Sequence, residues 1–239
     1  KQYTINMYYK KIKLSDNGKQ FYYNGKPVFK VFEEALKFHA PGLAAVKDET
    51  GWYHINCNGQ AIYKKRYKQT FGYYDNRAAV TDIYGNCYHI NEKGFKVYNE
   101  KYAFCGNYQE NKCVIRDKKG RYFHIDIHGN RLYTECYRYV GDFKDGIACV
   151  RLENGKFLHI NSKGIALNGK MYDDLGVFHK GFATAKDKYG WFHIGKDGEA
   201  IYSERYLIIE PFYNGFSLVT DKNGQKIIIN QNGKVVLCV

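Results

Sequence analysis

Long apolar runs are missing from this 239-residue chain. Nothing approaches the roughly 18 consecutive apolar residues that span a bilayer. The N-terminal Lys1-Gln2-Tyr3-Thr4-Ile5-Asn6 also lacks the apolar core of a secretion signal, so the expectation is a soluble chain with no transmembrane segment. Pro (3) and Met (2) are scarce, and the seven Cys include no Cys-x-x-Cys pair. An odd number of unpaired-looking cysteines argues against both a disulfide framework and a Cys-rich zinc site. Cys113 stands where other stretches carry Ala or Ser, with Cys149 one place along, and both read as small core fillers. A reducing compartment is therefore expected: a bacterial cytoplasm, or a host cytosol if the protein is a delivered effector. The sequence also has no P-loop, dinucleotide glycine pattern, His-Glu-x-x-His or nucleophile motif, so no catalytic residue, metal site or cofactor is expected. It begins at Lys1 without Met, which suggests a module cut from a longer protein.

What the chain does have is Tyr and Gly, 24 of each, with aromatics at 17%. That composition suits many short strands separated by turns. The formal charge is +13, from 37 Lys and Arg against 24 Asp and Glu. Such a surface attracts nucleic acid, anionic membrane or acidic protein, which restricts the sign of a partner and nothing more.

Internal repetition decides the architecture. Tyr53-His54-Ile55-Asn56 returns at Tyr88, Phe123, Leu158 and Phe192, and in weakened form as Ile227-Ile228-Ile229-Asn230, in steps of 35, 35, 35, 34 and 35. Upstream of each lie an aromatic, a turn, a small-residue strand and usually Asp-x-x-Gly, around Asp48, Asp82, Asp117, Leu152, Asp187 and Asp221. A shortened copy over Leu14 to Gly25 makes seven units. Asp-x-x-Gly and the later Asn-x-x-Gly are hairpin turns in which Gly takes positive φ. Between them the alternation places Trp52, His54 and Asn56 on one face and Tyr53 and Ile55 on the other. A third connection carries Tyr-x-x-x-Tyr, as in Tyr63 and Tyr67 or Tyr202 and Tyr206. Each unit reads as a meander of three or four short strands.

Gly51-Trp52-Tyr53-His54-Ile55 and Gly190-Trp191-Phe192-His193-Ile194, each after a small-residue strand and Asp and before a turn Gly, resemble bacterial WG (KWG) repeats over nearly the whole chain. In the other units Asn86, Arg121, Lys156 and Gln225 read as occupying the Trp slot, which predicts an exposed, divergent position. The fold class expected is all-β: tandem repeats of about 35 residues in one domain, residues 1–239, closed as a seven-bladed β-propeller. Residues 3 to 16 and 225 to 238 would pair, so that N-terminal strands complete the last unit and no sheet edge is left bare. The alternative is an open β-hairpin solenoid.

The repeated histidines His54, His89, His124, His159 and His193 invite a metal site. Equivalent positions on successive sheets about 10 Å apart do not converge on one ion, so each is expected to bond a neighbouring turn or Asp within its own unit. The repeated Asp is expected to form turns rather than the carboxylate pair of a propeller hydrolase. Binding residues are sought instead in the basic, aromatic-flanked loops: Lys64, Lys65, Arg66 and Lys68 on one connection, Lys118, Lys119 and Arg121 at a hairpin tip, with Trp52 and Trp191 as aromatic contacts. The function expected is a non-catalytic binding or scaffold module with a protein or peptide partner. An anionic surface (acidic protein, phospholipid or nucleic acid) is a further candidate partner, and a glycan- or anionic-lipid-binding module is the alternative.

Overall fold

The structure is a computed structural model and describes residues 7–239. Among the described residues every regular element after the 3-10 turn Tyr9–Lys11 is a strand, and these strands form seven antiparallel sheets in chain order. The first sheet is β1 (Ile12–Leu14), β2 (Phe21–Tyr23) and β3 (Lys26–Val28). Five sheets of one pattern follow, each a two-residue strand and two five-residue strands: β4 (Glu34–Ala35), β5 (Ala44–Asp48), β6 (Gly51–Ile55); β7 (Gln69–Thr70), β8 (Arg77–Thr81), β9 (Cys87–Asn91); β10 (Phe104–Cys105), β11 (Lys112–Arg116), β12 (Tyr122–Asp126); β13 (Tyr139–Val140), β14 (Ile147–Arg151), β15 (Phe157–Asn161); and β16 (Asp174–Leu175), β17 (Ala183–Asp187), β18 (Gly190–Ile194). The last sheet has four strands, β19 (Ile208–Ile209), β20 (Phe216–Thr220), β21 (Lys226–Asn230) and β22 (Val235–Cys238). The all-β meander array is therefore as expected. The chain forms two compact units, one reaching to Gly120 and taking in Ile125–Asn130, the other comprising Arg121–His124 and Arg131–Val239.

Where a unit could carry a fourth strand it has isolated bridges instead, such as Ile55 with Ala61 and Trp52 with Tyr67. The second Tyr of Tyr-x-x-x-Tyr exchanges two backbone hydrogen bonds with the start of the preceding long strand, Tyr67 with Trp52 and Tyr206 with Trp191, all at 2.9 Å. In the last unit the chain stays paired instead, and β22 runs along β21 from Val235 to Cys238. This corrects one expectation. Among the described residues the fourth strand of the last sheet comes from the C-terminal hairpin, and β1 pairs with β2 inside its own sheet. A short turn through Gln231, Asn232 and Gly233, closed by the Gly233 amide on the Asn230 carbonyl at 2.9 Å, costs far less loop entropy than recruiting a distant strand. Residues 3–6 of the proposed closing segment lie outside the described residues.

Alternation does not leave one face wet. In the first unit Tyr53, His54 and Ile55 are all buried. Tyr53 and Ile55 face backward into a core with Ile12, Phe21 and Val46, while His54 faces forward onto Tyr73, 4.6 Å between ring centroids. In the second unit Phe192 and Ile194 likewise pack backward with Ile147, Cys149, Leu175 and Ala185. Within each unit the sheets thus pack against their neighbours in the chain, and each fully buried aliphatic or aromatic side chain contributes about 1.5–3 kcal/mol. Cys113 and Cys149 are buried, as small core fillers should be.

Register also corrects the reading of the Gly-Trp pair. Lys47 pairs with Trp52 and Thr81 with Cys87, so the Trp slot is filled by Cys87, Tyr122, Phe157 and Lys226 in the other units, and Asn86, Arg121, Lys156 and Gln225 align with Gly51. The slot is buried at Trp52 and Cys87 because it bridges to the Tyr strand. Gly belongs before Trp where the hairpin is one residue shorter: Gly51 (φ +115°) and Gly190 (φ +136°) close the turn, and an added Cβ would lie 2.9 Å from the Tyr67 carbonyl oxygen or 2.7 Å from that of Tyr206.

Candidate interaction surface

The polar residues that repeat most faithfully are committed to holding the sheets. Each repeated His has Nε2 at 2.8–2.9 Å from a main-chain carbonyl seventeen residues on: Phe71, Gly106, Gly141, Gly176 and Glu210. A carbonyl only accepts, so Nε2 carries the proton and Nδ1 keeps its lone pair. Tyr63, Tyr98, Tyr133 and Tyr202 fill that lone pair by donating their hydroxyls to His54, His89, His124 and His193 over 2.5–2.6 Å. The imidazole is thus an uncharged strut from one sheet to the carbonyl of the next. Burial pushes His54, His89, His159 and His193 down to about 4, with the carbonyl bond opposing it weakly. The expected partner, an Asp or turn of the same unit, is corrected to a Tyr and a following-sheet carbonyl.

The same Tyr rings reach the next repeat. A Cβ built on Gly94, Gly129, Gly164 or Gly233 would meet Tyr63, Tyr98, Tyr133 or Tyr202 at 2.3–2.8 Å, so each of these four turns keeps its Gly partly as a seat for the preceding Tyr. The repeated Asp acts as expected, its Oδ1 accepting the amide two residues on, as in Asp82 to Tyr84 (3.0 Å), Asp187 to Tyr189 (2.8 Å) and Asp221 to Asn223 (2.9 Å). Burial would raise Asp48, but bonds from Lys30, Thr50 and Tyr53 outweigh it and hold the carboxyl below the usual range.

The connection carrying Lys64 to Lys68 is laced to the protein. The Arg66 guanidinium lies 3.7 Å from the Tyr53 ring centre, and it donates to Thr50 Oγ1 (2.9 Å) and to the carbonyls of Lys64 and Lys65. Lys65 donates to the Tyr88 hydroxyl at 2.6 Å. Lys64 and Lys68 are exposed. Sequence reading missed the counterpart of Arg66: Arg205 lies 3.6 Å from the Phe192 ring centre and donates to Asp187 at 2.9 Å. The recurrence of Arg66-Tyr67 as Arg205-Tyr206 was the available signal. Trp52 is buried and Trp191 half-buried, with the Lys186 ammonium 5.6 Å from the Trp191 ring. Both are strand residues, on β6 and β18.

What varies on this constant frame are the hairpin tips. The residues between the turn Asp and its Gly are Glu49-Thr50, Ile83-Tyr84, Lys118-Lys119, Lys188-Tyr189 and Lys222-Asn223, with Glu153-Asn154 in the unit that has Leu152 for Asp. Ile83 (72%), Tyr84 (82%) and Tyr189 (66%) are among the most exposed large apolar side chains. Lys118 and Lys119 are exposed at their tip, and Arg121 follows on the same hairpin.

No protein-family model matches the sequence. No curated protein matches it either. Among solved structures, a eukaryotic initiation factor superposes with a TM-score of 0.57 at 12% identity, over 95% of this chain and 72% of that one. BamB from Moraxella catarrhalis (TM-score 0.48, 13% identity, 92% and 76% covered) and the C-terminal WD40 domain of Sif2 (0.41, 11%, 84% and 67%) are more distant. Among the described residues no helix is long and apolar enough to cross a membrane. At 12% identity, the likeness to the initiation factor is one of fold: this chain is an all-β array of small antiparallel sheets of that kind.

Proposed function

We propose that this chain is a non-catalytic binding module of the WG-repeat type for a protein or peptide partner, contacted through the Asp-x-x-Gly hairpin tips. The observation that carries it is the contrast between frame and tip. The repeated His, Tyr, Asp and turn Gly make the same bonds in most units, while the two tip residues differ from unit to unit, from Glu-Thr to Ile-Tyr to Lys-Lys. A rigid scaffold with variable exposed loops is the usual arrangement for recognition, because the scaffold removes the ordering cost of the contacts. Tyr84 beside Ile83 offers large apolar area with few rotatable bonds, the composition of binding hot spots.

A photocrosslinker placed at Tyr84 should capture a partner. Ile83→Ser with Tyr84→Ser should weaken binding of that purified partner about tenfold or more, while the melting temperature stays within about 2 °C. If the partner binds a variant with all tip pairs replaced by Ser as tightly as the parent, the tips are not the surface.

A further inference from the structure

Some lysines and arginines have a carboxylate in reach: Lys30 meets Asp48 at 2.7 Å, Lys47 meets Glu34 at 2.8 Å, Lys101 meets Asp82 at 3.6 Å, Arg205 meets Asp187 at 2.9 Å, and Lys156 meets Asp173. The first sheet gathers three lysines around one cavity without one. Ile12 turns inward, so Lys13, its neighbour on β1, faces out and lies directly opposite Tyr22 on β2. The 3-10 turn just before β1 leaves Lys10 and Lys11 exposed beside it. Past Tyr22 the chain reverses through Asn24 (φ +49°) and Gly25 (φ +77°), a left-handed pair that brings the turn over the same side. Together Lys10, Lys11, Lys13, Tyr22, Asn24 and Gly25 line a cavity of about 480 Å³. Its lining holds three ammonium groups and no carboxylate, and among the described residues none of the three lysines has an ion-pair partner.

We propose that this cavity binds a phosphomonoester. Three like charges around one concavity repel each other, and an anion between them converts that repulsion into attraction. A phosphomonoester carries about −1.5 to −2 charges at neutral pH and three acceptor oxygens, which matches three ammonium donors with the Tyr22 hydroxyl and the Asn24 amide as further donors. The cavity lies within the roughly 300–1,000 Å³ range of small-molecule sites and exceeds what a bare phosphate fills, so the phosphate arrives on a larger body, a small metabolite or a lipid headgroup. Lys64, Lys118 and Lys119 are exposed too but lie on a connection and a hairpin tip, outside the lining of this cavity.

The test uses two probes, inositol hexakisphosphate by titration calorimetry and phosphatidylcholine vesicles with or without phosphatidic acid by co-sedimentation. The parent should bind the soluble probe, and binding should weaken as salt is raised from about 50 to about 200 mM. Vesicle binding that requires phosphatidic acid would identify a headgroup as the source, and soluble binding alone would identify a free metabolite. Lys10→Ala/Lys11→Ala/Lys13→Ala should lose about tenfold or more in affinity, whereas Lys64→Ala/Lys118→Ala/Lys119→Ala, with the same loss of charge, should stay within about twofold. The proposal is overturned if the parent binds neither probe, if the first variant binds like the parent, or if both variants lose affinity equally. Melting curves keep unfolding apart from loss of binding, because the three substituted side chains are exposed.

Discussion

Asn168 stands nine residues after His159, in the place from which Tyr63, Tyr98, Tyr133 and Tyr202 each reach their own His, and it does not reach back. Its amide donates to the Gly198 carbonyl at 2.9 Å, and Nδ1 of His159 is left buried with no partner. A buried acceptor without a donor costs about 1–3 kcal/mol. Asn168→Tyr should therefore raise stability by about 1 kcal/mol, and Tyr98→Phe, which orphans His89 in the same way, should lower it by about 1–3 kcal/mol. Urea denaturation of both variants checks this, and a destabilised Asn168→Tyr would show that the fifth repeat has no room for the ring.

The two kinds of turn glycine should respond differently to alanine. Gly85 (φ +81°) has open space where a Cβ would go, whereas at Gly94 (φ +81°) the Cβ would lie 2.3 Å from the Tyr63 ring. Both variants incur backbone strain of about 1 kcal/mol. Gly94→Ala should cost about 1–3 kcal/mol more through displacement of the ring, and Tyr63→Ala in its background should remove most of that excess.

Stability should fall steeply as pH drops through the range from 6.5 to about 4. His54, His89, His159 and His193 titrate near 6.5 when unfolded and at about 4 when folded. Above 6.5 both states hold these rings neutral and the struts are fully effective. Between the two values the unfolded chain binds up to four more protons than the native one, a slope of about 5 kcal/mol per pH unit, with stability rising with pH. The depressed carboxyls of Asp48, Asp82 and Asp187 act in the same direction at still lower pH. Thermal melts between pH 7.5 and 4 measure this, and a flat profile would contradict the neutral-strut assignment.

Thiol labelling should separate the cysteines by burial. Cys238, exposed on β22, should react in the native protein, and Cys113 and Cys149 only after denaturation. Burial pushes the Cys149 thiol up to about 12, which removes its thiolate at neutral pH as well as its access. Mass spectrometry of native and denatured samples reads the difference.

Much of this protein was legible in the sequence alone. Periodicity near 35, Asp-x-x-Gly and Asn-x-x-Gly turns and a small-residue strand before each aromatic-His-Ile stretch determine strands and hairpins locally, since turn dihedrals and side-chain alternation depend on residues a few positions apart. The structural role of Asp48, Asp82 and Asp187 followed from the same local chemistry. What His54 touches did not, because Phe71 and Tyr73 lie in the next sheet and only the stacking of sheets brings them to it. The Gly-Trp slot was misread for a related reason: strand register, with one residue fewer in the hairpins of Gly51 and Gly190, decides which residues are equivalent. Whether a basic residue is available to a partner was likewise decided in three dimensions. Arg66 and Lys65 look free in a run of cations but are spent on Tyr53, Thr50 and Tyr88, while Lys10, Lys11 and Lys13, unremarkable in sequence, line one cavity whose lining holds no carboxylate, because β1 and its neighbouring turn bring them together.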